Sequence, residues 1–493
     1  MNKQDHKTQA VFDPLDDKFK EECGVYAVYG HEGAAALTAL GLHALQHRGQ
    51  EACGIVTYDG QDFNIKRALG LVDATFSQQT VIDSLPGNMA IGHNRYSTSG
   101  TPVLRNVQPM FADLEGGGLA LAHNGNFTNA YSLRQALVRD GAIFQSTSDT
   151  EVAIHLMARS SGKTVIERFT DAMAQIKGAC SMVVLSKDGV IGYRDTNGLR
   201  PLVLGQLKDS YILASESCAL DIVGATAIRE IEPGEMVLIN EDGLESRFPF
   251  GKQSSKFCIF EYVYFARPDS MIEGRPVYKA RKEIGAELAR EAPVDGGEIV
   301  VPVPDGGVPS AMGYAQASGL PYEMGIIRNH YVGRTFIEPT DKIRHLGVKL
   351  KHNANRALIE GKSVILVDDS IVRGTTSRKI VEMVRAAGAR EVHMRVSSPP
   401  ITHGCFYGID TPEQDRLMAY NYSVEEIAEQ IGVDSLAYIS IEGLYRAVGN
   451  VERNDANPQF CDACFSGNYP VALVDFDSSQ DTKKVSSLKE VQK

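Results

Sequence analysis

Val364-Ile-Leu-Val-Asp-Asp-Ser-Ile-Val-Arg-Gly-Thr-Thr-Ser377 decides the reading of the C-terminal half of the chain. An apolar strand runs into two adjacent carboxylates, Asp368 and Asp369. A short loop rich in Gly, Thr and Ser then leads into a helix. In an open parallel sheet, ligands bind beyond the carboxyl ends of the strands. A loop entering a helix N-terminus offers backbone N–H groups and a favourable dipole to a phosphate. Thr375, Thr376 and Ser377 add hydroxyl donors, and Gly374 lets the backbone approach closely. The acid pair suits sugar hydroxyls, or Mg²⁺ held through water. An isolated Asp-Asp would more often be a solvated turn, with the Thr/Ser run capping the helix.

Outward from this segment the alternation continues. Glu298-Ile-Val-Val-Pro-Val303 and Glu391-Val-His-Met-Arg-Val396 read as further buried strands, and Thr376 to Ala387 as a helix that stops at Gly388. From about residue 275 the strand–loop–helix order predicts a parallel sheet with crossover helices. Residues 23 to about 250 read differently, as short β-branched runs separated by Gly and Asn. Cys23–Tyr29, Ser181–Leu185 and Tyr211–Ala214 are examples, with helical patterns at Ala34–Gln46 and Thr150–Arg159. These predict sheets with helices packed on them. Residues 1–22 lack hydrophobic periodicity and read as an extended leader, while the polar stretch Ser478–Lys493 is expected to be disordered.

The chain has 493 residues, 43% hydrophobic and 23% charged, enough for two or three domains. A net charge of -12 argues against general nucleic-acid binding, because an acidic surface repels a phosphate backbone. No apolar run approaches a membrane span, and Met1–Glu22 has no apolar core of a secretory signal, so a cytoplasmic protein is expected. Its eight cysteines are then read as catalytic, metal-binding or packed rather than disulfide-bonded.

Further residues suggest chemistry. Arg328-Asn-His-Tyr-Val-Gly-Arg-Thr-Phe-Ile-Glu-Pro339 mixes cations, an aromatic and a Gly, as a loop closing over a diphosphate would. Arg334 is its candidate for charge on a leaving pyrophosphate, with Lys349 and Lys351 weaker candidates downstream. Cys23 follows Glu21-Glu22; cleavage after Glu22 would set its thiol beside a free α-amine able to act as base. The ordinary alternative is a buried strand cysteine. Arg95, in Gly92–Gly100, suits a ligand carboxylate. Asn124-Gly125, in His123–Asn126, offers a side-chain amide and a backbone N–H as an oxyanion hole, though Asn-Gly alone is usually a turn. Asp149, in Ser148–Glu151, suits an α-ammonium. Cys461-Asp-Ala-Cys464 has metal-ligand spacing compatible with zinc or a redox role; Cys258 and Cys405 lie far off. Cys53, Cys180 and Cys218 are assigned to packing.

Val364–Ser377 resembles the phosphoribosyl pyrophosphate fingerprint of type I phosphoribosyltransferases. That resemblance implies contacts of Asp368 and Asp369 with the ribose, and of Arg373, Gly374, Thr375, Thr376 and Ser377 with the 5′-phosphate. Arg328–Pro339 resembles the closing loop of the glutamine amidotransferases of purine synthesis. Pro302-Val-Pro-Asp-Gly-Gly-Val308 looks like the pyrophosphate-binding loop, except that Gly306 stands where relatives commonly carry a metal-assisting Ser. Metal binding would then rest more on the two aspartates, with Asp305 a possible substitute. The N-terminal fragments, taken in order, resemble the class II glutamine amidotransferases, which are N-terminal-nucleophile hydrolases. This implies Cys23 as nucleophile, Arg95 and Asp149 as glutamine binders, Asn124 and Gly125 as oxyanion hole, and Arg48 of His47-Arg48-Gly49 near the nucleophile.

Residues 23 to about 470 together resemble the amidophosphoribosyltransferase family, in its iron–sulfur, propeptide-containing branch. The implied fold is an α+β glutaminase of stacked antiparallel sheets with flanking helices, followed by an α/β transferase on a parallel sheet. The implied organisation is a propeptide 1–22, glutaminase 23–250, transferase 260–450 and a tail 451–493 carrying cluster ligands. The implied activity transfers ammonia from glutamine to phosphoribosyl pyrophosphate, giving 5-phosphoribosylamine at the first committed step of purine synthesis. The resemblance further implies Mg²⁺ at Asp368 and Asp369 and a structural [4Fe–4S] cluster on Cys258, Cys405, Cys461 and Cys464. It also implies feedback inhibition by purine nucleotides and a homo-oligomer, dimer or tetramer. Other enzymes with such a glutaminase, sugar-phosphate aminating isomerases and asparagine synthetases, lack a segment like Val364–Ser377. A mere sensor of the sugar phosphate, or a transferase acting on a free base, would have no use for Cys23.

Overall fold

The computed structural model describes residues 23–96, 103–329, 352–449 and 451–476. The leader 1–22, Arg334, Lys349, Lys351 and Ser478–Lys493 lie outside the described residues.

The first thirteen strands are β1 (Gly24–Tyr29), β2 (Ala52–Tyr58), β3 (Phe63–Leu69), β4 (Met89–Arg95), β5 (Met110–Leu114), β6 (Gly117–Phe127), β7 (Gly178–Ser186), β8 (Gly189–Arg194), β9 (Val203–Leu207), β10 (Ser210–Ala214), β11 (Thr226–Glu230), β12 (Met236–Asn240) and β13 (Gly243–Arg247). They form two antiparallel sheets, ordered β11-β9-β10-β1-β4-β2-β3 and β13-β12-β8-β7-β6-β5. Side chains alternate across a strand, and that alternation builds the layers. Val25 and Ala27 of β1 meet Ala120 and Ala122 of β6 and Val183 and Leu185 of β7 between the sheets. Tyr26 and Val28 face the other way, onto the helix Ala34–Ala44. On the far side, Leu119, Leu121, Met182 and Val184 receive the helices Thr150–Arg159 and Val165–Met173. The order is helix, sheet, sheet, helix.

A hairpin of β14 (Met271–Ile272) and β15 (Arg275–Pro276) leads into the helix Val277–Glu291. Then come β16 (Ile299–Pro302), β17 (Ile326–Arg328), β18 (His352–Ala354), β19 (Ser363–Asp368), β20 (Glu391–Val396) and β21 (Ser435–Tyr438). Strands β16-β19-β20-β21 pair in parallel. Every residue of β19 is buried, as a parallel strand covered on both faces requires. Val364 and Leu366 pack on Ile380, Val381 and Val384 of the helix Thr375–Ala386. Ile365 and Val367 face the helices Val277–Glu291 and Val308–Ser318. The fold class read from the sequence is the one observed.

The differences are at the edges. The helix expected at Ala34–Gln46 ends at Ala44, with Leu45 as its C-cap. The helix after the acid pair starts one residue early, at Thr375, because Gly374 takes a left-handed conformation (φ 74°) at its N-cap. Strand β21 was not anticipated; four residues with no burial alternation carry too little pattern.

Candidate active sites

Asp368 ends β19, and Asp369 follows it at the carboxyl edge of the parallel sheet. Each is 1% exposed, so the pair is a buried site and not a solvated turn. The Asp369 N–H donates to Asp368 Oδ1 (2.9 Å), and the Ser370 hydroxyl donates to Asp369 Oδ1 (2.8 Å). Gly374, Thr375, Thr376 and Ser377 form the first turn of the following helix, with Ser377 buried. The N-terminal turn of a helix directs backbone N–H groups and the positive end of its dipole outward, which suits a phosphate.

The loop after β16 reaches this pair. A Cβ built on Gly306 would stand 1.9 Å from Asp369 Oδ2, so the carboxylate occupies the room a side chain at 306 would take. The departure noted in the sequence therefore has a steric partner: Gly306 and the pose of Asp369 go together. Asp305, named as a possible substitute ligand, instead pairs with Arg328 at the surface, both about half exposed.

Residues that the sequence reading passed over also stand here. Ser397 and Ser398 follow β20, are 1% and 0% exposed, and their hydroxyls have no partner among the described residues. The Ser397 N–H donates to Asp368 O (2.9 Å), so they adjoin the acid pair. Lys379, one turn into the helix, buries an Nζ without a partner among the described residues. A buried orphan polar atom costs about 1–3 kcal/mol unless a ligand or water completes it. Serine and lysine are common enough that only burial singles these out.

Cys23 precedes β1 and is buried. Burial pushes its thiol up to about 11; the bond to Tyr96 O (3.5 Å) and the Arg95 charge work against that rise, while Asp149 and Glu51 add to it. The charges of Arg95 and Asp149 thus both act on the Cys23 thiol. Arg95 ends β4, next to β1 through the pairing Gly24↔Asn94. Asp149 stands at the N-cap of the helix Thr150–Arg159, and its Oδ2 accepts from Phe127 N (3.0 Å). Asn124 is fully buried on β6, and neither atom of its side-chain amide has a partner among the described residues. Gly125 takes φ 139°, where a side chain would strike Ala179 O at 2.0 Å. An unengaged amide beside a glycine N–H is what an oxyanion site needs.

Arg48 lies near the nucleophile in backbone only: a Cβ on Gly24 would be 3.6 Å from Arg48 Cβ. Its guanidinium turns into a buried network between the two halves of the chain. Arg48 pairs with Glu216, and its Nη2 with Glu261 Oε2 at 2.7 Å; Arg200 Nη2 meets Glu261 Oε1 at 2.7 Å. All four side chains are 0–1% exposed. His47 Nε2 also meets Glu216, at 2.7 Å. Burial alone would raise both carboxyls, yet the facing cations hold Glu216 well below its ordinary range and Glu261 below it.

Cys258 and Cys461, about 200 residues apart in sequence, are backbone neighbours: Cys461 N donates to Phe257 O (2.9 Å) and Ile259 N to Cys461 O (3.1 Å). The N–H groups of Thr402 and His403 donate to Cys464 O, bringing the Cys405 segment alongside. Burial pushes the Cys258 thiol up to about 12 and those of Cys461 and Cys464 well up, and the neighbouring thiols raise the latter two further. Among the described residues, no three His, Cys, Asp or Glu side chains converge as ligands of one metal ion would. Cys53, Cys180 and Cys218 are buried. The tail grips both halves: Tyr407 Oη donates to Val471 O (2.6 Å), Thr128 Oγ1 to Ala472 O (2.8 Å), and Asp475 caps the helix Ala130–Arg139 through Tyr131 N (2.7 Å). No helix among the described residues is long and apolar enough to cross a membrane.

A stacked-sheet amidase with an acid-pair transferase defines a glutamine-dependent transferase. A glutamine amidotransferase domain model matches residues 93–221, and a phosphoribosyl transferase domain model matches residues 275–405. The amidophosphoribosyltransferase of Rhizobium etli is 58% identical over 97% of both chains. That of Bacillus subtilis is 49% identical over 92% of this chain and 95% of its own. A solved Bacillus subtilis glutamine phosphoribosylpyrophosphate amidotransferase, complexed with ADP and GMP, superimposes with a TM-score of 0.86 at 48% identity, covering 92% of this chain and 98% of that one. The chain belongs to the amidophosphoribosyltransferase family. It moves the amide nitrogen of glutamine to phosphoribosyl pyrophosphate in purine biosynthesis.

Proposed function

We propose that Cys23, made N-terminal by removal of residues 1–22, is the glutaminase nucleophile, and that Asp368 and Asp369 hold the sugar diphosphate for amination. The observation that carries this is the grouping of Cys23, Arg95 and Asp149 at one site and a fully buried acid pair at the other. A thiol held near 11 is protonated at neutral pH and needs a base. A free α-amine, with a reference pKa near ~8, would supply it.

The steps follow. Arg95 takes the glutamine α-carboxylate and Asp149 its ammonium. The Cys23 sulfur bonds to the side-chain carbonyl carbon as the amine takes the thiol proton. Asn124 Nδ2 and the Gly125 N–H stabilise the oxyanion. Collapse breaks the C–N bond, the proton returns to the leaving nitrogen, and ammonia departs from a thioester that water hydrolyses to glutamate. Ammonia then attacks C1 of the sugar and displaces pyrophosphate with inversion. An internal route suits this chemistry, because ammonia in neutral water is protonated and no longer nucleophilic. Arg373 to Ser377 would wrap the 5′-phosphate, and Arg334 would face the leaving pyrophosphate.

Mg²⁺ fits Asp368 and Asp369 by donor chemistry, since adjacent carboxylates supply the hard oxygen ligands it takes; bound there, it would neutralise diphosphate charge. The four thiols Cys258, Cys405, Cys461 and Cys464 fit a [4Fe–4S] cluster. Cys258 and Cys461 are buried, Cys405 and Cys464 partly so, and the Cys461 and Cys464 thiols are raised by the charges of their cysteine neighbours, the soft sulfur donor set such a cluster takes. Such a group would tie the tail to both halves. The ADP and GMP in the Bacillus subtilis structure support inhibition by purine nucleotides here. We further propose a cytoplasmic homo-oligomer, dimer or tetramer.

The test is Cys23→Ala. Glutamine-dependent pyrophosphate release should vanish while activity with high ammonia persists. Equal loss of both would refute the two-site assignment. Intact mass of active enzyme should lack residues 1–22.

A further inference from the structure

The segment after β20 touches both sites. Its start is tied to the acid pair by Ser397 N donating to Asp368 O (2.9 Å). Its end, Phe406–Gly408, lies against the oxyanion strand β6. Asn126 Nδ2 donates to Phe406 O at 2.9 Å. A Cβ built on Gly408 would meet both Cα and C of Gly125 at 2.9 Å and its O at 3.2 Å. Gly408 itself takes φ 112°, where side chains are disfavoured. Gly125 is therefore closed in by Ala179 O from its own domain and by Gly408 from the transferase half. The segment is pinned from outside: Tyr407 Oη donates to Val471 O (2.6 Å) and accepts from Val471 N (3.0 Å), and Tyr469 Oη donates to Gly404 O (2.6 Å).

We infer that Gly408 is a positioning residue for the glutaminase reaction: the transferase half braces the Gly125 peptide from behind, so the oxyanion site is complete only with this segment docked. The inference rests on the assignment of Asn124 and Gly125 given above. The contact is backbone against backbone, with no flexible side chain to yield. An added methyl must therefore move the Gly125 peptide or the segment. Displacing an oxyanion donor weakens transition-state binding more than glutamine binding, so kcat should fall and KM for glutamine should hold.

The test is Gly408→Ala in the full enzyme. Glutamine-dependent kcat should fall by about 100-fold, the usual effect of misplacing a catalytic group by an ångström. KM for glutamine and ammonia-dependent synthesis should stay at the parent values. Asn126→Ala, which deletes the bond to Phe406 and adds no bulk, should show the same split, and it carries the test if Gly408→Ala does not fold. Equal loss of both activities, or a rise in KM alone, overturns the inference, as does no change in either variant. Iodoacetamide, which needs no oxyanion site, should still label Cys23 in both variants. Failure to label Cys23 in the parent enzyme would instead overturn the nucleophile assignment, separating the two failures.

Discussion

Glu261→Gln should destabilise the protein far more than its near-identical shape suggests. Glu261 is 0% exposed and accepts from two guanidinium groups, Arg48 at 2.7 Å and Arg200 at 2.7 Å. The amide keeps the volume but removes the charge that Arg200 pairs with, and leaves Arg48 with Glu216. It also turns an –NH₂ toward a donor. Removing one partner of a buried pair costs about 3–5 kcal/mol, because the other charge stays desolvated. For a chain of 493 residues that amounts to a fall of roughly 3–5 °C in the thermal midpoint. Differential scanning calorimetry at one scan rate, with chemical denaturation beside it, measures the effect. The double variant Arg200→Met with Glu261→Met removes one charge of each sign, leaves Arg48 with Glu216, and should recover most of the loss. A single-variant loss below about 1 kcal/mol, the range of an exposed pair, would refute the reasoning.

The same network predicts an acid limit. Glu216 and Glu261 sit below their ordinary value of 4.5, so they add stability above that pH and lose it as pH falls through their depressed folded values. Denaturation midpoints should drop steeply on acidification, and less steeply in the Arg200→Met, Glu261→Met double variant. Gly306→Ala should force Asp369 aside and lower kcat/KM for phosphoribosyl pyrophosphate by up to about 100-fold, leaving glutamine hydrolysis intact; an unchanged value in steady-state assays would show that the contact is idle. Anaerobically purified enzyme should contain iron and acid-labile sulfide in equal amounts, lost in Cys461→Ser; zinc in their place would exclude the cluster.

The chain itself determined whatever is local. Strand β19, the acid pair, Gly374 and the helix behind it follow from an apolar run, turn chemistry and helix periodicity within the single stretch Ser363–Ala386, and they are found there. The two fold classes followed in the same way, from alternating and continuous apolar runs. Asn124 and Gly125 were legible as a pair, but not that the Asn124 amide is buried and unengaged, since burial depends on the facing sheet. Arg48 shows the limit: family resemblance put it near the nucleophile, while the turn of its guanidinium toward Glu261 depends on a contact 213 residues away. The packing of Gly408 on Gly125, the pose of Asp369 over Gly306 and the neighbouring of Cys258 with Cys461 are of the same kind. Only tertiary structure decided them, because local propensity acts over a few residues and sheet stacking and domain docking choose which distant surfaces meet.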